Sequence, residues 1–258
     1  MDVADLLDQL GMAGVGRGDI VALVVAPGAG LGLAVPGGPE AWSIDAPDPT
    51  GFVQKLEDLL APRWAMWSST TAVDLVRSGT RVTRSWDASA VHRLLFGGWR
   101  ADPPRVWARA HGLSTDQLPE AGPVDLFTQH DDAADERPVR SDGYLSPAWA
   151  AGEWTDDPAR FGVWAGALGE VVHLQQQAIE QVAIDGDRPM ALRTAIAEST
   201  AELLCAELAV DGLPMDRSVM EALVSGYVGP RPRSPHEATQ LRDARDAFER
   251  AYFEYHLA

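Results

Sequence analysis

Apolar positions along this chain switch between two periods. IVALVVAP at 20–27 is a continuous apolar run of strand length, and LGLAVP at 31–36 follows across a glycine turn, so the pair predicts a hairpin. AWSID at 41–45 predicts a third strand. Phe52, Val53, Leu56, Leu59 and Leu60 then recur at helical spacing. WAMWS at 64–68 predicts a strand, TAVDLVRSG a short helix and RVTRSW at 81–86 another strand, while residues 2–10 read as a short amphipathic helix. Strands alternating with helices of this length predict a mixed α/β sheet with flanking helices.

Asp87 is placed to cap a helix bearing Val91, Leu94, Leu95 and Phe96, and a second helix is expected over 104–111. Residues 112–152 are rich in Pro, Gly and Asp around QHDDAADER, the composition of a long acidic surface loop. Helical periodicity returns over 158–184. In DRPMALRTAIAESTAELLCAELAVDGLPMDR, at 187–217, Leu192, Ile196, Leu203, Leu204 and Leu208 form a helical stripe. Pro189 suits the first helical position and Gly212 the stop. Asp216 caps the next helix, with Met215 and Met220 spaced for a hydrophobic staple. Ser234 and Glu237 form a capping-box signature around Pro235, and the last helix carries Leu241, Ala244, Phe248, Tyr252 and Tyr255. The expected organisation is an α/β domain over 1–184, holding the acidic loop at 112–152, and an all-helical segment over 185–258.

With 46% apolar residues, a chain of 258 can bury a sizeable core. The net charge of −17 argues against a broad nucleic-acid footprint, so any DNA contact has to be local. Cys205 is the single cysteine; no internal disulfide is possible, and beside the apolar stripe it reads as a small buried hydrophobe. The acidic start MDVADLLDQL lacks a signal-peptide core and no apolar run approaches 18 residues, so a cytoplasmic protein is expected.

The 187–217 block resembles the start of the thumb in family A (DNA polymerase I-type) DNA polymerases. LEDLLAPRWAMWSSTTAVDLVRSGTRVTRSWDASAVHRLL resembles the helix, strand, helix, strand and aspartate-opened helix of their 3′–5′ exonuclease domain, and IVALVVAPGAGLGLAVP the strand pair ahead of it. WDASAVHRLLFGGWRADP, VRSDGYL and VGPRPRSPHEA are similar to the actinobacterial bifunctional 3′–5′ exonuclease/DNA polymerase type. The resemblance covers nearly the whole chain apart from its two ends. It implies an RNase H-like, exonuclease-like sheet followed by a truncated helical start of a polymerase thumb, and a role in DNA replication or repair.

Proofreading of this kind uses two metal ions about 4 Å apart, held by converging carboxylates. The family supplies an Asp-x-Glu pair on its first strand, an Asp at the helix after the fourth, and a Tyr or His with an Asp in a late helix. This chain contains no Asp-x-Glu. The match begins at what corresponds to the second strand, so the metal-bearing first strand is expected to be absent or replaced. SST, with Thr70 nearest, stands at the second motif, and Trp164 and Leu168 stand at the third. The resemblance therefore implies no catalytic and no metal-binding residues, and magnesium only alongside an active exonuclease or a polymerase partner domain. Polymerase palm aspartates and a fingers helix are not supplied after Asp216, so palm and fingers would be partners in cis. Arg231, Arg233, Arg242 and Arg245 are the candidates for DNA phosphate contacts, against the reading that they are solvated helix-face charges.

Other arrangements are weaker. His111 with Asp116, and His130 with Asp135, have a spacing some exonucleases use but fall in or beside the polar loop. Asp185 and Asp187 read as a turn and cap, and GAGLG at 28–32 as a turn between strands. Most of the nine tryptophans read as core, Trp64, Trp67 and Trp86 because they fall in strand-like runs. Two other functions stay open. One is an active exonuclease whose metals are held by Asp125, Asp131 or Asp132 folding inward; the other is a protein-interaction module, which the acidic charge suits.

Overall fold

The computed structural model describes residues 2–118, 137–186, 188–229 and 232–257. Helix α1 (Val3–Met12) precedes the meander β1 (Ile20–Ala26), β2 (Gly30–Ala34) and β3 (Ala41–Asp45). Then come α2 (Pro49–Leu60), β4 (Arg63–Met66), α3 (Ser69–Arg77), β5 (Ser85–Asp87), α4 (Ala88–Phe96) and α5 (Pro103–Ala110). A 3-10 turn at Thr115–Gln117 is followed, beyond residue 136, by α6 (Pro147–Ala151) and a second 3-10 turn at Glu153–Asp156. The long helices α7 (Pro158–Asp185) and α8 (Ala191–Asp211), then α9 (Arg217–Val228) and α10 (Pro235–Leu257), complete the order.

The five strands form one mixed sheet in the order β3-β2-β1-β4-β5. β2 runs antiparallel to both neighbours, with Leu23 opposite Leu33, and β4 is parallel to β1 and β5. Side-chain alternation splits β1 between two cores. Val21 and Leu23 face a cluster with Leu6, Leu33, Ile44, Leu56 and Trp64; Ala22 and Val24 face one with Trp67, Trp86, Trp164 and Leu168. The result is an α/β fold with helices on both faces, and among the described residues no helix is long and apolar enough to cross a membrane.

Helix α7 lies against β2 and β3 at glycine-permitted distance. A Cβ on Gly32 would stand 2.0 Å from the Phe161 carbonyl oxygen, and one on Gly30 2.6 Å from the Phe161 ring. The Ser43 hydroxyl accepts from the Gly162 N–H at 2.7 Å, fastening the helix to β3.

Several elements depart from the sequence pattern. The strand expected over 81–86 shrinks to Ser85–Asp87, because side chains of α2 take the earlier amides: Arg81 N–H donates to Gln54 Oε1 at 3.0 Å and Thr83 N–H to Glu57 Oε1 at 3.0 Å. Leu59 is exposed while Val53 and Leu56 carry the buried face of α2. Pro189 precedes α8 instead of opening it; Met190 is the N-cap. Of the leucine stripe of α8 only Leu203 is fully buried, while Leu192, Leu204 and Leu208 are exposed. Ala195, Ser199, Leu203 and Ala206 are buried, whereas Leu204 is 53% exposed and Cys205 is an exposed free thiol. The helix packs on α3, β5 and α4, and the Ser85 hydroxyl donates to the Ser199 carbonyl at 2.8 Å. The C-terminal part of the expected loop is packed, with Tyr144, Leu145 and Trp149 buried.

Contacts divide the chain into Met1–Gly212 and Leu213–Ala258, so α8 belongs with the sheet although the sequence pattern sets the boundary at 184. Gly212 ends α8 at φ 75°, and the Asp216 carboxylate accepts from the Ser218 and Val219 N–H groups to start α9, both as the sequence indicates. Asp125, His130, Asp131, Asp132, Asp135, Asp187, Arg231 and the side chains of Phe248, Tyr252 and Tyr255 lie outside the described residues.

Candidate functional site

Trp67 follows β4 directly and meets Trp164 of α7 in a stack, centroids 4.9 Å apart and planes at 29°. Trp149 of α6 tilts against Trp164 at 6.2 Å, Trp154 stacks on it at 6.4 Å, and Phe161 meets Trp154 edge-on at 6.1 Å. Val24 of β1 and Leu168 of α7 belong to the same buried cluster. Trp149 comes from the stretch that composition marks as loop and Trp154 lies between that stretch and the helical run from 158, so no spacing signal points to either.

The motif positions singled out in the sequence fall around this cluster. β1, IVALVVA, carries no acidic residue. The Ser68 hydroxyl caps α3 by accepting from the Thr70 N–H at 3.4 Å, and Thr70 itself is exposed. Trp164 and Leu168 are buried in the aromatic cluster. Among the described residues no group of three or more His, Cys, Asp or Glu is placed to hold a metal ion.

Asp87 lies at the joint of β5 and α4. Its carboxylate accepts from the Ala90 N–H at 2.8 Å, and its own N–H donates to the Ser199 hydroxyl at 3.0 Å. Beside it Trp86 Nε1 donates to Gln175 Oε1 at 2.9 Å, and Gln175 Nε2 to the Ala88 carbonyl at 2.7 Å. Burial pushes the Asp87 carboxyl up to about 6; the Ala90 N–H opposes this and Glu202 adds to it. Glu202 pairs with Arg93. This seam ties the sheet edge to α7 and α8. Asp87 is a cap and clamp, as its place before a helix indicates, while Gln175 and Ser199 are invisible to sequence pattern.

The candidate DNA-contacting arginines lie in the second unit. Arg242 and Arg245 line a groove of about 540 Å³ between α9 and α10, with Met220, Val224 and Leu241. Arg233 is exposed ahead of α10, its N–H donating to Glu237 Oε2 at 2.6 Å. Asp243 and Asp246 follow the two groove arginines directly, so this stretch of α10 carries no net positive charge. On α9, Val219, Leu223 and Tyr227 are exposed, the last at 90%. In the first unit His111 stacks on Trp107 at 3.8 Å and its Nε2 lies 3.0 Å from Glu170 Oε1, while Asp116 sits in the 3-10 turn.

Comparisons of the chain with protein-family models, with curated proteins and with solved structures give no match.

Proposed function

We propose that the first unit is a catalytically silent, RNase H-like exonuclease domain of the family A polymerase type. The helical segment after it is then the start of a thumb, and the two serve as a scaffold for DNA synthesis in replication or repair. The observation that carries this reading is the Trp67–Trp164 stack. It fills the end of the sheet where the resemblance sets metal-binding carboxylates. Two-metal hydrolysis needs converging negative charge and room for an attacking water, and a closed aromatic cluster offers neither.

The sheet supports the same reading. An antiparallel meander extended by two strands parallel to β1 is the arrangement of an RNase H-like sheet. On this reading β1 is the metal-bearing first strand itself, present but stripped of carboxylates, and not the second strand as the sequence resemblance suggests. The exposed apolar side of α9 offers what a polymerase body in cis would cover. DNA contact through Arg233, Arg242 and Arg245 is a weaker part of the proposal, since Asp243 and Asp246 offset the two arginines of the groove.

Calorimetric titration of the full chain with manganese tests the silent site. Heat of specific binding at micromolar metal, accompanied by a change in tryptophan emission, would overturn it; no saturable binding is the expected result.

A further inference from the structure

We propose that the corner between α4 and α5 binds single-stranded DNA, with Trp99 stacking on a base and Arg100, Arg105 and Arg109 holding phosphates. The proposal rests on the charge, exposure and geometry of this corner, independently of the polymerase reading.

Charge is the first observation. Between residues 88 and 113 the chain has four arginines, Arg93, Arg100, Arg105 and Arg109, and one acid, Asp102, although the whole carries −17. Arg93 is spent on Glu202, and Arg100 stands 3.8 Å from Asp102. Among the described residues Arg105 and Arg109 have no ion-pair partner. Four arginines against one acid give this segment a charge of +3 within a chain of −17, which marks it as a local cationic exception.

Unused hydrogen-bonding capacity is the second. His92 is only 2% exposed and, among the described residues, neither its Nδ1 nor the buried Nε of Arg105 has a hydrogen-bond partner. Such atoms normally find partners in a folded protein. Burial pushes the His92 imidazole down to about 4, and Arg109, Arg105 and Arg93 reinforce the shift, which marks the surroundings as positive.

The third is an aromatic surface. Gly97 and Gly98 both take φ in the left-handed region, 72° and 78°, and each has open space where a Cβ would stand. Their backbone, not crowding, demands glycine. The turn they make leads into Trp99, which is 83% exposed. Phe96, also exposed, carries the Arg109 guanidinium 6.0 Å above its ring and the His92 ring at 5.2 Å. An indole held in water within a cationic segment is the pairing that nucleic-acid strands exploit, bases stacking on the ring while cations follow the phosphates. A duplex keeps its bases stacked on one another, so the exposed indole face selects a single strand.

The test is fluorescence anisotropy of a labelled single-stranded DNA of roughly twelve nucleotides, within the span such surfaces cover, titrated with the full chain over a series of salt concentrations. Trp99→Ala should weaken binding about tenfold, and Trp99→Phe should restore most of the loss. Arg105→Ala with Arg109→Ala should flatten the dependence of log affinity on log salt by about 1.4, near 0.7 per single-strand phosphate released. Arg77→Ala, an exposed arginine at the end of α3 paired with Asp74, should leave affinity unchanged. The proposal is overturned by absence of binding at low salt, by Trp99→Ala binding as tightly as wild type, or by a duplex of the same sequence binding as tightly as the single strand. Equal competition by poly-glutamate would assign the corner to an acidic polypeptide and overturn it as well.

Discussion

The rings of Trp67 and Trp164 stack with centroids 4.9 Å apart, joining the end of β4 to α7 across the middle of one core. Both are buried, so each truncation to alanine should cost about 3–5 kcal/mol of unfolding free energy. A double-mutant cycle in urea should return a coupling of about 0.5–1.5 kcal/mol for the pair. A coupling near zero would mean that the two rings only fill volume independently.

Close approach of α7 to the sheet depends on Gly32. An alanine there would place its Cβ 2.0 Å from the backbone oxygen of Phe161, which no side-chain rotation relieves. Gly32→Ala should therefore destabilise the protein by at least about 1–3 kcal/mol, the usual cost of overpacking. Gly11→Ala, with open space at its Cβ and no positive φ, should raise stability slightly by favouring the helix. Thermal melting of the two variants compares them directly.

Asp87 and His92 pull the pH dependence of stability in opposite directions. The Asp87 carboxyl is raised from 3.8 to about 6, so its contribution is fully present below the unfolded value and is lost as pH rises through 6. The His92 imidazole is lowered from 6.5 to about 4, so its contribution is fully present above 6.5 and is lost as pH falls through 4. The windows overlap and the two slopes offset. Asp87→Asn keeps a cap and should add a slope on the order of 1 kcal/mol per pH unit, stability rising with pH relative to wild type. His92→Gln should add a slope of the opposite sign. Urea midpoints at several pH values between 4 and 7 report both, and parallel curves for the variants and wild type would contradict the assignment.

Helix α8 tests which of its faces is buried. Cys205 should react with a thiol reagent in the native protein at nearly its unfolded rate. Leu204→Ala should change stability by no more than about 0.5 kcal/mol, whereas Ala195→Leu should cost about 1–3 kcal/mol. The reverse order would restore the leucine stripe as the packed face.

These cases mark where the sequence is legible. The meander over 20–45 is legible because continuous apolar runs alternate with glycine turns, and the caps at Asp87, Asp216 and Ser234 because short-range chemistry fixes them. Residues 81–84 do not extend β5 because Gln54 and Glu57, far back in the chain, take the amides of Arg81 and Thr83. On α8 the apolar stripe marks only Leu203 of the fully buried face, the rest of which is Ala195, Ser199 and Ala206, residues that no apolar period singles out. That Thr70, Trp164 and Leu168 are not carboxylates is plain in the sequence, but the aromatic cluster around Trp164 is not, since Trp149 comes from the loop-like stretch and Trp154 from just beyond it. The arginine corner was hidden by averaging: a net charge of −17 conceals a short cationic segment, and an exposed Trp99 looks like any core tryptophan.

Most direct for the silent-site claim is an exonuclease assay on 3′-labelled single-stranded DNA, with the full chain and manganese or magnesium. The expected result is DNA left intact at every metal concentration. Release of mononucleotides that stops with EDTA, and that is abolished by alanine at Asp125, Asp131 and Asp132, would contradict it and establish an active exonuclease with a rearranged site.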